Sequence, residues 1–264
     1  MLQLWGGYKE QAYYTVANNF TYIVLLATVS IIKIFWKEIA EAYHQGNIDK
    51  MQFLYQKIIR ILYLVGSFVA GLLIPWAEEI LSMTVGGEYI DGKITFMIML
   101  FYPVHQSIGQ ITSALLFATE KTRLQTIIGS VFMILSIFAA YVILAPGSAV
   151  IPGFGLASEG LAWKMVVLQF IQVNVLLYII ARIFNWQYEW IYQITVLTGA
   201  ILIGYLSKFL TFETFTSTFA NMASSSFLYF SIFFLFSYLC SMQILGITRQ
   251  ELNSLLVELR SKYL

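Results

Sequence analysis

The chain has 264 residues with 15 basic and 14 acidic side chains, and its net charge of +1 gives no basic surface of the kind that binds nucleic acid. Hydrophobic residues make up 59% of the chain and charged residues 11%, against about 45–50% and about 25% in soluble domains. This composition excludes an ordinary soluble fold and predicts an all-α, polytopic bundle of membrane helices. The one cysteine, Cys240, excludes a disulfide framework within the chain.

Apolar runs divide the chain into about seven predicted membrane spans. Residues 1–14 are polar and aromatic, which suits a membrane interface ahead of the first span. We place the seven spans at 15–35, 58–80, 94–118, 124–144, 159–183, 190–210 and 222–245. Pro103 should kink the third span, because proline removes a helical hydrogen bond. The tail, 248–264, has the pattern of an amphipathic helix.

The polar segment 33–60, between the first two spans, sets the predicted orientation. It carries five of the basic residues, and cytoplasmic loops collect lysine and arginine. Apolar residues recur at helical spacing on both sides of Gly46 and Asn47. They predict two short amphipathic helices in the headgroup region, the second capped by Asn47 and running into the second span. A solvated connector with ordinary helical faces is the alternative.

The distribution of basic residues favours one topology over its inverse. With 33–60 inside, the inside connections hold eleven basic residues and the outside connections three, while Lys164 lies within the fifth span. Because lysine and arginine concentrate on the cytoplasmic side, the N-terminus is predicted outside and the C-terminus in the cytoplasm.

Polar side chains inside the spans are the candidate functional residues, since such groups usually face a bundle interior or a water-filled cavity. Gln106, Gln110 and Ser113 fall on one face of the third span. The first and fifth spans add Asn18, Tyr22, Lys33, Lys164 and Gln172 as candidates. Gln169 and Asn174 are assigned to other faces of the fifth span, as interhelical hydrogen-bonding groups. Lys33 could instead extend to the inner interface, and Lys164 could extend outward or pair with Glu159.

The spans carry no recognisable enzyme chemistry, so we expect neither catalysis nor a cofactor. They present no paired carboxylates and no nucleophile with a base. A membrane prenyltransferase would need clustered aspartates, and only Asp49 and Asp91 are present. His44 and His105 have no partners at metal-ligand spacing, so no metal site is predicted. Seven spans are also typical of receptors and rhodopsins, but the last span lacks a lysine for retinal.

Five segments, taken in order, resemble the C-terminal half of lipid-linked oligosaccharide flippases of the multidrug/oligosaccharidyl-lipid/polysaccharide exporter superfamily. They read QLWGGYKEQAYYTVAN, FWKEIAEAYHQGNIDKMQFLYQKIIR, TVGGEYIDG, LLFATEKTRLQ and FGLASEGLAW. The resemblance implies a C-terminal-lobe helix bundle over 1–185, followed by two additional membrane helices and a cytoplasmic amphipathic tail over 186–264. It also implies an N-terminal lobe, absent from this chain, on the far side of a central cavity.

The function that the resemblance implies is the flipping of a polyprenyl-pyrophosphate-linked oligosaccharide across a bacterial or archaeal cell membrane for polysaccharide export, by alternating access. Polysaccharide assembly enzymes would be further partners. On chemical grounds Lys164 and Lys33 would pair with the pyrophosphate, Gln106, Gln110, Gln172 and Asn18 would bind sugar hydroxyls, and Tyr22 would stack on a sugar.

Two other functions are left open by the sequence. A multidrug or cation antiporter of the same superfamily should carry an intramembrane carboxylate, and the spans hold none near mid-depth. A membrane scaffold without transport activity would be favoured if the polar faces of the spans pointed at lipid.

Overall fold

The computed structural model describes residues 1–187, 190–211 and 217–239, and these residues contain helices but no strands. Their α-helices are α1 (Leu2–His44), α2 (Ile48–Leu73), α3 (Ala77–Thr84), α4 (Lys93–Met99), α5 (Tyr102–Ala118), α6 (Thr122–Leu144), α7 (Ala157–Phe184), α8 (Trp190–Thr211) and α9 (Thr218–Leu239). Two short 3-10 helices, Ile74–Trp76 and Gly87–Gly92, lie before and after α3.

Five helical segments among the described residues are long and apolar enough to cross a membrane. They are Ile48–Thr84, Thr122–Leu144, Ala157–Phe184, Trp190–Thr211 and Thr218–Tyr238. The chain is therefore a multi-pass, all-α membrane helix bundle, as its composition predicts. The first predicted span lies within α1 and the third is divided between α4 and α5. The end of the seventh span and the predicted tail, 248–264, lie outside the described residues.

The predicted kink in the third span is confirmed as a break between two helices. α4 ends at Met99 and α5 begins at Tyr102, with Pro103 in the first turn of α5. The first N–H groups of a helix have no intrahelical acceptor, so a proline there removes no hydrogen bond. The break lies just ahead of the polar face of α5.

The segment 33–60 is partly as predicted. α1 ends at His44, Gly46 has a φ of 69°, and the Asn47 side chain accepts a hydrogen bond from the Lys50 N–H at 3.0 Å, which caps α2. The second amphipathic helix runs into the long helix α2, as predicted, whereas the first is the end of the long helix α1 and not a separate short helix. Their apolar faces lie in the core, where Ile39 and Met51 are fully buried. The apolar face of an amphipathic helix can be buried against a neighbouring helix just as it can be buried against a membrane surface.

The helix connections gather at two ends of the bundle. The first end comprises residues 1–14, 77–93, 145–159 and 208–211, where Lys9 Nζ binds Asp91 Oδ2 at 2.8 Å. The second end comprises residues 33–60, 118–123 and 182–190, where the rings of Tyr55 and Trp186 lie 5.4 Å apart.

The last two described helices attach to the bundle through α2. α8 crosses α2 where the backbones of Gly71 and Gly204 meet, since a Cβ on Gly204 would strike the Gly71 carbonyl oxygen. Tyr229 of α9 donates a hydrogen bond to the Phe68 carbonyl of α2 at 2.9 Å. Small residues at such crossings allow close backbone contact in membranes. The division of the chain at residues 185 and 186 stays a prediction.

Candidate functional site: a glutamine-lined cavity

A cavity of about 530 Å³ lies between α1, α5 and α7. Its polar lining consists of four glutamines and one serine: Gln106, Gln110, Ser113, Gln169 and Gln172. Three aromatic residues also line it: Trp36, Tyr102 and Phe117. Trp36 is 52% exposed and Phe117 is 47% exposed, so the cavity opens to the outside of the bundle at these two rings. We refer to it as the glutamine cavity.

The helix α5 presents its polar residues to the cavity as the sequence predicts. Gln106, Gln110 and Ser113 are spaced four and three residues apart, which places them on one face. Ser113 donates from its hydroxyl to the Gly109 carbonyl at 2.8 Å and accepts from Gln125 Nε2 at 2.9 Å. The Oε1 atom of Gln110 is buried and has no hydrogen-bond partner in the described part of the chain. An unpaired buried acceptor is costly, which indicates a ligand that donates a hydrogen.

The helix α7 contributes both Gln169 and Gln172, and here the prediction was wrong. The sequence predicts Gln169 on another face of the helix and groups Gln172 with Lys164. Residues three apart on a helix are separated by only about 60°, so Gln169 and Gln172 share a face. A Cβ added at Gly109 would lie 3.0 Å from Gln169 Nε2, so this amide occupies the space that the glycine leaves.

Lys164 does not line the glutamine cavity. It is 8% exposed, and its Nζ lies 3.7 Å from the sulfur of Met165, a weak hydrogen-bond acceptor. No ion pair joins it to Glu159 within the described ranges, and its burial excludes an outward extension to solvent. Among the described residues its one hydrogen-bond partner is this thioether, which is a costly arrangement for an ammonium group in a membrane helix.

The three candidates on α1 also lie away from the cavity lining. Tyr22 is 59% exposed, Lys33 is exposed, and Asn18 is half-buried with its backbone carbonyl accepting a hydrogen bond from Thr21 Oγ1 at 2.7 Å. α1 instead contributes Ile32 and Trp36 to the lining. Periodicity gives the angles between residues on one helix, but it does not say which arc meets a neighbouring helix.

Polar contacts at the first end hold α1 against its neighbours above the cavity. Glu10 accepts hydrogen bonds from the N–H and hydroxyl of Ser158, at the N-terminus of α7, where a carboxylate is favoured. Tyr13 donates to Asp91 Oδ2 at 3.3 Å. The hydrogen bond from Lys9 lowers the pKa of Asp91 below its ordinary value of 3.8. These contacts fix the position of α1 relative to α7.

The glutamine cavity can bind an uncharged polar ligand, because the described residues that line it offer amides, hydroxyls and aromatic rings but no charged side chain. Within the described residues no three histidine, cysteine, aspartate or glutamate side chains are grouped as metal ligands. No protein-family model, curated protein or solved structure matches the chain.

Proposed function

We propose that this chain forms one lobe of a membrane transporter that flips a polyprenyl-pyrophosphate-linked oligosaccharide across the cell membrane. The glutamine cavity is the observation that supports the proposal. Each glutamine amide both donates and accepts hydrogen bonds, as a sugar hydroxyl does. Trp36, Tyr102 and Phe117 supply apolar ring surface beside these amides. A concave site with apolar walls and a few convergent polar groups is typical of small-ligand binding.

The uncharged lining favours a glycan over a cationic drug. A cation antiporter requires a carboxylate in its ion path, and no aspartate or glutamate of the described chain lines the cavity. Lys33 follows Ile32, which does line the cavity, and it is exposed. It therefore remains the candidate for the pyrophosphate, whereas the position of Lys164 gives it no access to this cavity.

The charges at the two ends support an orientation. The second end carries eight basic and four acidic residues in the described chain, whereas the first end carries three basic and six acidic residues. Each of those three lysines is ion-paired: Lys9 with Asp91, Lys93 with Glu78 and Lys208 with Glu79. We therefore place the second end in the cytoplasm and the N-terminus outside, in a bacterial or archaeal cell membrane. Alternating access requires a second lobe across the cavity, which we take to be an N-terminal lobe.

Flipping of a fluorescent lipid-linked oligosaccharide in vesicles tests the proposal, with the chain joined to its N-terminal lobe. The variant replaces Gln106, Gln110 and Gln172 with leucine, which removes amides and keeps volume. We expect flipping at least about tenfold slower, because several sugar hydrogen bonds are lost in the transition state.

The matched control is Gln52→Leu, since Gln52 lies on α2 and lines no part of the cavity. It should flip the lipid at the wild-type rate. Wild-type flipping by the triple variant, at equal protein levels, would show that the cavity does not bind the glycan.

A further inference from the structure

A second opening lies between α2, α5, α7 and α8, and is lined by a different set of residues. Its volume is about 520 Å³, and its walls include Tyr63, Phe170, Ile194 and Leu197 around His105. Phe170 is 45% exposed and Ile194 is 53% exposed, so this opening reaches the outer surface of the bundle. In a bundle of apolar membrane helices that surface meets lipid. We call this opening the His105 groove.

His105 carries an unsatisfied nitrogen in this groove. The side chain is 4% exposed, and the ring centroids of Tyr63 and Phe170 lie 5.7 Å and 5.0 Å from its own. Its Nδ1 lies 3.4 Å from the Phe101 carbonyl oxygen. A carbonyl only accepts, so Nδ1 carries the hydrogen in this contact and Nε2 is left as the acceptor. Nε2 is buried and has no partner in the described chain, which points to a ligand with an O–H or N–H group.

The groove leads towards the basic residue Arg60. Gln193 lines both the groove and a smaller cavity that includes Arg60, Trp186 and Tyr192. The Arg60 guanidinium lies 5.8 Å from the ring of Tyr192. The Tyr192 ring in turn lies 5.9 Å from that of Tyr63, beside His105.

Lys57 lies one helical turn before Arg60 on α2, but its Nζ lies 5.3 Å from the ring of Phe53 on the same helix, and it lines neither cavity. Tryptophan and tyrosine are enriched at membrane interfaces, and basic residues between membrane helices attract lipid phosphates. The groove therefore has mostly apolar walls, and it adjoins the smaller cavity that contains Arg60, Trp186 and Tyr192.

We propose that the His105 groove binds an anionic glycerophospholipid of the phosphatidylglycerol type. Its phosphate lies beside Arg60, and one acyl chain lies against Phe170, Ile194 and Leu197. A headgroup hydroxyl supplies the hydrogen that Nε2 of His105 lacks. Zwitterionic phosphatidylcholine has no such hydroxyl and no net negative charge. This site is separate from the glutamine cavity, so the proposal does not depend on the flippase function.

Native mass spectrometry of the delipidated chain, titrated with dioleoyl-phosphatidylglycerol and with dioleoyl-phosphatidylcholine, tests this site. We expect phosphatidylglycerol to bind at least about tenfold more tightly than phosphatidylcholine. Arg60→Gln should weaken phosphatidylglycerol binding about tenfold, and His105→Phe, which keeps an aromatic ring without its nitrogens, about threefold.

The matched control is Arg182→Gln. Arg182 is also at the second end, but its guanidinium lies over Tyr178 of its own helix, at 5.2 Å, outside the groove. This variant should bind phosphatidylglycerol like the wild type. An equal loss in Arg182→Gln and Arg60→Gln, or equal binding of the two lipids, would overturn the proposal.

A cross-linking experiment keeps the proposal testable if Arg60→Gln does not fold. Phosphatidylglycerol with a diazirine in one acyl chain should label peptides of α7 and α8 in the wild-type chain. Labelling confined to other helices would contradict the site. Displacement of the bound lipid by an equal concentration of polyprenyl monophosphate would also contradict it, because the groove would then belong to a lipid-linked substrate.

Discussion

Among the helix–helix contacts at which a glycine allows close approach, the α2–α8 and α5–α7 contacts differ in what lies between the backbones. Where α2 crosses α8, Gly71 and Gly204 bring the two backbones into direct contact. Where α5 passes α7, Gly109 leaves space that the side chains of Gln169 and Val173 occupy, each 3.0 Å from the position of a Cβ. The first contact is made by backbone atoms, with the Tyr229 hydroxyl beside Gly71, whereas the second borders the glutamine cavity.

The comparison indicates that the α2–α8 contact serves stability and the α5–α7 contact serves ligand binding. Close backbone contact gains dispersion energy along the whole crossing, so the α2–α8 contact should contribute strongly to stability. At the α5–α7 contact, amides take the place of some apolar packing. One of them, Gln110, has a buried oxygen without a partner in the described chain, so this contact should contribute less to stability. Substitutions at the first contact should therefore affect folding, and substitutions at the second should affect transport.

The largest expected effect is that of Gly204→Val. The new side chain would meet the carbonyl oxygen of Gly71, which is backbone and cannot move away cheaply. We expect a loss of about 3 kcal/mol of unfolding free energy, at the upper end of overpacking effects. Unfolding in a denaturing detergent, followed by circular dichroism, measures it.

Gly129→Val is the control, since Gly129 lies in α6 and a Cβ there would meet nothing within 4 Å. It should change the unfolding free energy by less than about 1 kcal/mol. Equal losses at Gly204 and Gly129 would mean that the α2–α8 crossing is not tightly packed.

A smaller effect of opposite sign is expected for Gln110→Leu. The substitution removes a buried acceptor that has no partner among the described residues, so the chain should become about 1 kcal/mol more stable while flipping becomes slower. The same detergent titration and the vesicle assay measure the two changes. A loss of stability with unchanged flipping would show that this amide is a structural group.

Gly109→Ala should cost only about 1 kcal/mol of stability, because the two atoms that the new methyl group would meet at 3.0 Å, Gln169 Nε2 and Val173 Cγ2, belong to side chains and not to backbone. The amide must still move, so flipping should slow about threefold. If Gly109→Ala destabilised the chain as much as Gly204→Val, the distinction between the two contacts would be lost.

The smallest expected effect is the pH dependence of the first end. The hydrogen bond from Lys9 lowers the pKa of Asp91. The Lys9–Asp91 pair therefore contributes fully to stability at a pH above 3.8, the ordinary pKa of an aspartate, and this contribution is lost as the pH falls through the lowered pKa. Both groups are exposed, so the change is small. Thermal midpoints should be level from pH 9 to pH 5 and fall below about pH 4, less so in Asp91→Asn than in the wild type.

Sequence reasoning predicted features that one helix determines by itself. Pro103 predicts the break before α5, Asn47 predicts the cap of α2, and the spacing of Gln106 and Gln110 predicts their shared face. Each follows from backbone geometry within a few residues.

Features that depend on neighbouring helices were not predictable in this way. The stripe containing Ile39 suits a membrane surface and a buried contact equally, and only packing shows that Ile39 is fully buried. Likewise, the sequence of α7 does not show whether Lys164 or Gln169 faces a cavity, because that depends on the position of α5. The His105 groove takes residues from four helices, so no single segment of the sequence reveals it.

Water accessibility of Gln110 tests the central claim most directly. In a Cys240→Ser background, Gln110→Cys and Phe138→Cys are treated in membrane vesicles with a charged methanethiosulfonate, which reacts with the thiolate in water. Phe138 is 67% exposed on α6 and should face lipid. We predict that Gln110→Cys reacts, that a lipid-linked oligosaccharide protects it, and that Phe138→Cys stays unlabelled. If Gln110→Cys did not react, or reacted no faster than Phe138→Cys, the result would contradict a water-filled cavity at this position.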